Sequence, residues 1–244
     1  SAADVPFFLL GGYDILGTVT QIRDDQQASM ERTDALGDAW REFSFTGIRR
    51  VEIEQMGFYD DAANGAHTAL ETGVSTTGRV LCYGLGGTAT GAFFMGFTGV
   101  MQVNYERGPS RGALTKARAT YKGTGRFDQG RILRPQNGTV TSSTNSGAVD
   151  NTVSSTLGGA GYLQLVSFTS AALATAVLAR VQHSSDDITY ADLVSFTGAT
   201  AAPTAERIAV ATGTVIERYT RMAASYTGGA APTSAVLMVG FARY

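Results

Sequence analysis

The strongest constraint on this chain is a period-two alternation of apolar and polar residues that returns along its length. Arg49-Arg-Val-Glu-Ile-Glu54 places Val51 and Ile53 on one side and Arg50, Glu52 and Glu54 on the other. Successive side chains of a strand point to opposite faces, so this pattern predicts a half-buried strand. Arg41-Glu-Phe-Ser-Phe-Thr46 and Leu114-Thr-Lys-Ala-Arg-Ala-Thr-Tyr121 alternate in the same way. Ala209 to Thr212, Thr214 to Tyr219 and Ala235 to Phe241 are β-rich and bounded by Gly or Pro. One helix is predicted over Asp61–Leu70, with Asp60 or Asp61 as its cap and Gly73 beyond its end. Its apolar face is mostly alanine, which suits close packing on a sheet.

Composition narrows the class. The 244 residues are 43% hydrophobic and 16% charged, with a net charge of −2. Such a chain buries a core, and its surface is poor in charge, which fits a surface covered by other subunits or one rich in Ser, Thr and Gly. Only Lys116 and Lys122 are lysines, and no basic patch marks a nucleic-acid-binding face. Cys82 is the only cysteine, so an intrachain disulfide is excluded, and its strand context predicts a buried, inert thiol. No apolar run reaches membrane-spanning length, and Pro6–Leu10 lacks the flanks of a signal peptide. Ser1 reads as the residue left by removal of an initiator Met, and hence as cytosolic synthesis.

Two polar stretches organise the chain. Gly17–Ala39 is acidic and long for a hairpin connection, holding Asp24, Asp25, Glu31, Asp34 and Asp38. It reads as an extended hairpin, a loop that reaches a neighbouring subunit, or a solvated loop. Residues 137–161 are dominated by Ser, Thr, Asn and Gly and read as a linker or long loop. The expected division is therefore 1–136, a linker at 137–161, and 162–244. The parts share a weak repeat: Ser44-Phe-Thr46 recurs 123 residues on as Ser167-Phe-Thr169, Asp60-Asp61 as Asp186-Asp187, and His67–Leu70 as Tyr190–Leu193.

Motifs for chemistry are thin. Gly84-Leu-Gly86-Gly-Thr-Ala89 formally fits a dinucleotide fingerprint, yet the residues after it read as strand, not as the helix that would hold a pyrophosphate. The paired aspartates sit beside turns and are read as caps. His67 and His183 lie far apart, and neither adjoins a nucleophile elbow. No catalytic residue, cofactor or metal ligand is assigned.

The order of segments carries a resemblance. Gly57-Phe-Tyr-Asp-Asp61 leading to His67-Thr-Ala-Leu70, with Val103–Arg107 and Gly112–Leu114, resembles the major tail tube proteins of long-tailed bacteriophages. The resemblance covers roughly residues 10 to 135. It implies a mainly β fold: a tail-tube-type β-sandwich or barrel domain with one packing helix, then a second β-sandwich domain. That second domain is either a repeat of the tube unit or an external decoration.

The resemblance also implies self-assembly into stacked rings, homotrimeric if both halves are tubular and homohexameric if only the first is. The partners it implies are tape-measure, terminator and tip proteins, with viral DNA passing unbound through the lumen and no membrane involved. The location is the virion tail, after assembly in the host cytoplasm. Candidate inter-ring or inter-subunit contacts are Asp24, Asp25, Glu31, Asp34, Arg49, Arg50, Arg107 and Arg111. Candidate lumen residues are Glu52, Glu54, Gln102 and Asn104. The alternatives are a capsid decoration or tail-tip protein, and a carbohydrate-binding β-sandwich.

Overall fold

A computed structural model describes residues 5–32, 43–62, 65–74, 76–108, 113–123, 125–136, 138–170, 176–227 and 233–244, without the side chains of 29–32 and 43–49. The fold is mainly β. In chain order the first elements are β1 (Phe8–Leu10), β2 (Tyr13–Asp14), β3 (Val19–Arg32), β4 (Phe43–Phe58) and helix α1 (Ala66–Glu71). Then come β5 (Arg79–Leu85), β6 (Phe93–Gly108), β7 (Lys116–Gly123) and β8 (Phe127–Arg134). The rest comprises β9 (Thr144–Asn145), β10 (Val149–Asp150), β11 (Gly159–Thr169), β12 (Ala176–Ser184), β13 (Ala191–Ser195), β14 (Thr204–Val210), β15 (Tyr219–Thr227) and β16 (Ser234–Arg243).

The predicted alternation holds where it was clearest. Val51 and Ile53 are buried while Arg50 is exposed, and Ala117 and Ala119 are buried on either side of exposed Arg118, with Lys116 exposed before them. The helix is shorter than expected and starts at Ala66. The chain turns first, with the Gly65 amide donating to the Ala62 carbonyl, and glycine is a poor helix former. Asp60 accepts from the Ala62 amide, so it caps that turn, and no side chain caps α1 itself. Ala66, Ala69 and Leu70 form the buried face, as the alanine-rich pattern suggested. Thr214–Tyr219 is not a strand, and β15 begins only at Tyr219.

Long strand β6 organises the first half. Its N-terminal part lies between β5 and β8, and its C-terminal part pairs with β7. Gly99 sits between the two parts at φ 64, a left-handed conformation suited to glycine. The chain of pairs then runs β6–β7–β4–β3. Phe8, Leu81, Tyr83 and Phe97 meet Ile53, Ala119, Tyr121 and Leu70 in one core, so two sheet segments and α1 close around it. Gly123 lets the Phe97 ring lie against the backbone here, where an ideal Cβ would come 1.6 Å from the ring. Gly123→Ala should cost about 2–3 kcal/mol through overpacking of this fully buried ring, read as a lower denaturant midpoint at unchanged slope.

The two halves share a sheet. Its path runs β14–β11–β16–β8–β6–β5–β1–β2, so strands from residues 1–136 and 162–244 are hydrogen-bonded neighbours through β8 and β16. The path curls until its ends meet. Gln164 on β11 donates to the Val80 carbonyl on β5 and accepts from the Gly12 amide at 2.7 Å. Phe94, Cys82, Tyr162 and Met238 fill the interior of this curl. Burial pushes the Cys82 thiol up to about 12, in line with the inert reading.

The second half is a sandwich. Leu163, Leu237 and Val239 of the shared sheet meet Val177, Val181 and Met222 of a second sheet, ordered β10–β15–β12–β13. Residues 137–161, expected as a linker, contribute β9 and β10 to that sheet and the start of β11 to the other. Their Ser, Thr and Gly content reflects short edge strands and turns. The repeat pairs a helix with a strand, because His67–Leu70 lies in α1 while Ala191 starts β13.

Asp186 does cap a turn. It accepts from the amides of Thr189 and Ile188 and from the Ser184 hydroxyl, which holds its carboxyl down at about 2. A depressed folded value means the contribution is present above the unfolded value of about 4 and is lost as pH falls toward 2. The Ile188 and Thr189 amides should therefore lose protection relative to their intrinsic exchange rates across that window, while core amides of β12 stay protected.

Candidate subunit interface

The four strands β3, β4, β7 and β6 form an antiparallel segment with one face on the core and the other open. Pairing places residues of equal facing opposite each other. Glu52 stands between Asp25 and Lys122, Glu54 between Arg23 and Thr120, and Met56 between Gln21 and Arg118. Glu106 lies opposite Arg118 on the far side. The open face thus carries Arg23, Arg50, Lys116, Arg118 and Lys122 against Asp25, Glu52, Glu54 and Glu106. Charges interleave: Lys122 Nζ lies 3.7 Å and Arg50 3.9 Å from Glu52, and Arg118 hydrogen-bonds Glu54. Such exposed pairs add little stability, but they leave the face nearly neutral and well hydrated.

Among the described residues both borders of this segment are open. Among the described residues β3 pairs only with β4, along 14 residues. The C-terminal part of β6 pairs with β7 on one side; on the other, among the described residues, it meets only an isolated bridge between Gln102 and Val74. Long unpaired borders are templates for further strands. At one end β3 and β4 run past the sheet. Partner β7 reaches only Glu52, while β3–β4 pairing continues to Arg32 and Phe43, a two-stranded ribbon of about 27 Å. A lone ribbon of this kind is marginal in water.

The candidate residues divide. Glu52 and Glu54 are on the open face, and Asn104 is at its edge, accepting from the Thr120 amide and donating to Glu106. Gln102 is not: it is 1% exposed, and its amide donates to the Leu70 carbonyl at the end of α1. A bulge between Gln102 and Asn104 shifts the alternation and turns Gln102 inward. Asp24 faces the core side opposite Ile53 and hydrogen-bonds Tyr83, whose hydroxyl burial and this carboxylate push well above the usual range. Asp25 accepts from Gln27, Arg50 pairs with Glu52, and Arg107 lies 3.9 Å from Glu71. Asp34 and Arg111 lie outside the described residues, as do the side chains of Glu31 and Arg49. The cations of β7 were missed as a group; their alternation was visible, but not that β7 lies beside β4.

A groove of about 650 Å³ crosses the end of the segment opposite the ribbon, lined by Thr20, Met56, Phe58, Glu106, Arg107, Lys116 and Arg118. Met56 and Phe58 are each 38% exposed on a face that is otherwise polar.

No protein-family model and no curated protein matches the chain. Among solved structures it is similar to a chain in the tail of an empty gene transfer agent particle with C6 symmetry, at 14% identity and TM-score 0.35, over 45% of this chain and 80% of that one. A chain of the native gene transfer agent virion is similar at 15% identity and TM-score 0.36, over 52% and 98%. The Dit protein of phage SPP1, described as a hub of the adsorption apparatus in phages infecting Gram-positive hosts, is similar at 10% identity and TM-score 0.35, over 98% of both chains.

Proposed function

We propose that this chain is a structural subunit of a long-tailed phage tail that closes with copies of itself into a tube-forming ring. The observation that carries the reading is the four-stranded segment with two open borders. With an even number of antiparallel strands, β3 of one copy meets β6 of the next running antiparallel, so the pattern continues unbroken round a closed wall. Closure removes both borders from water. The helix and cores lie outside the wall, and the nearly neutral open face lines the channel, where DNA slides without a basic surface to hold it.

Ring size follows from strand geometry. Six chains with four wall strands each, spaced about 4.8 Å and tilted about 40°, give a backbone wall roughly 48 Å across, with a channel of roughly 35 Å inside the side chains. Three such chains leave roughly 12 Å by the same geometry, about the width of one major groove and too narrow for a duplex. The second half shows a sandwich instead of a second wall segment, which favours six chains and an external position for that half. Native mass spectrometry of concentrated protein should show a species six times the mass of one chain. A monomer at every concentration would refute the reading.

A further inference from the structure

We infer that the cleft between the two cores, on the outside of the curled sheet, binds an oxyanion, a phosphate or carboxylate group gripped by Arg131 and Arg243. None of the wall residues takes part, so the site stands or falls apart from ring closure.

Strand register builds the site. Arg131 on β8 is opposite Phe93 on β6 and Phe241 on β16. Arg243 follows Phe241 by two residues, so it points to the same face and lies diagonal to Arg131, about 7–8 Å away and within reach of long side chains. On this face Phe241 belongs to the sandwich core and Phe97 to the core of the first half, while Phe93 between them is 41% exposed. The two arginines therefore stand where neither core covers the sheet. Residues 151–157 form the opposite wall. Two hollows, of about 210 and 500 Å³, meet there and share Arg131, Asn151 and Arg243. Small-ligand sites have volumes of this order and gather at junctions between packed units.

The cleft carries positive charge that it does not neutralise. Among the described residues neither Arg131 nor Arg243 lies within ion-pair distance of a carboxylate. Asp150 lines the cleft, but Arg218 occupies both its oxygens, at 2.7 and 2.6 Å. Arg131 spends one N–H on the Gly91 carbonyl at 2.8 Å, and Arg243 spends one on the Val153 carbonyl at 2.7 Å. A guanidinium has five such donors in a flat fork that matches a carboxylate or phosphate. Burial without a counter-charge lowers Arg243 from its usual value. A charge drawn partly out of water needs a partner, and an incoming anion supplies one.

The walls are set before any ligand arrives. Asn151 donates to the Val149 and Arg218 carbonyls and to the Thr220 hydroxyl. Thr152 holds φ 70, a conformation that β-branched residues avoid, and its amide donates to Asp150 at 2.7 Å. The Arg131 guanidinium lies over the Phe93 ring, 3.7 Å from its centroid, which fixes its position. Geometry fixed in advance lowers the entropic cost of binding. Val153 and Leu157, both exposed, give the rim an apolar lip for the body of the ligand.

The test uses the full chain with inorganic phosphate and with acetate, each against chloride at equal ionic strength. The melting temperature of the wild type should rise saturably with at least one of them. A rise with phosphate alone marks a phosphate ester as the ligand, a rise with acetate alone marks a carboxylate, and a rise with both marks a site open to either group. Arg131→Gln combined with Arg243→Gln should weaken the apparent affinity about tenfold or more, while Arg221→Gln on β15 leaves it unchanged. Because Arg243 also holds the loop, the wild type supplies a second readout. The stabilising anion should slow phenylglyoxal modification of Arg131 and Arg243, mapped by mass spectrometry, and leave the rate at Arg180 on β12 as it was. No saturable rise with either anion would overturn the site. So would an equal rise in the double variant or protection spread evenly over all arginines, the marks of an adventitious ion only.

Discussion

Asp128→Ala should lower the unfolding free energy by about 3–5 kcal/mol, because it strips a buried ion pair of one partner. The Asp128 side chain on β8 is fully buried and sits at the seam of the two halves. One of its oxygens accepts from the Tyr162 hydroxyl on β11, from Arg207 Nε at 3.2 Å and terminal nitrogen at 2.8 Å on β14, and from the Tyr244 hydroxyl at 3.1 Å. Arg126 Nε lies 3.1 Å from the other oxygen, close enough for an ion pair but out of line for a hydrogen bond. Burial alone would lower Arg207, yet its hydrogen bonds to Asp128 and Tyr162 raise it overall. Removing the carboxylate leaves that guanidinium buried and uncompensated. Thermal unfolding of the variant checks this, and Asp128→Asn, which keeps the shape but not the charge, should recover only part of the loss.

Phe94→Ala should cost a similar amount, about 3–5 kcal/mol, by the different route of an apolar cavity. The Phe94 ring is fully buried at the same seam, edge-on to Tyr162 with centroids 5.4 Å apart. Gly240 on β16 and Gly130 on β8 make room for it, and an ideal Cβ at either would come within 2.5 Å of the ring. Both substitutions act on Tyr162, so their effects should fall short of additive in a double-mutant cycle. Unfolding that stays a single transition in both variants would show that the halves melt as one unit.

Those seam contacts mark the limit of what the sequence disclosed. Alternation gave β4 and β7 because each has one face in a core, and period two records that directly; β16, buried on both faces, was legible only as a β-rich run bounded by Gly or Pro. It did not give the seam, because β8 meets β16 across more than a hundred residues and nothing local in Phe127–Arg134 encodes its neighbour. Residues 137–161 misled for a related reason: two-residue strands such as β9 have no period to read, and turn-rich composition imitates a linker. Gln102 misled through a single inserted residue, Val103, which reverses every facing beyond it. Glu52 and Glu54 were readable as surface residues, but their partners on β7 required knowing which strand lies beside which.

The central claim is that β3 of one copy hydrogen-bonds the C-terminal part of β6 in the next. An electron cryomicroscopy map of the assembled particle, at a resolution that separates strands, tests it most directly. The expected result is a continuous antiparallel wall in which each β3 has β4 on one side and a neighbouring subunit's β6 on the other. Rings held together through the second sandwich, with β3 and β6 facing water, would contradict the account.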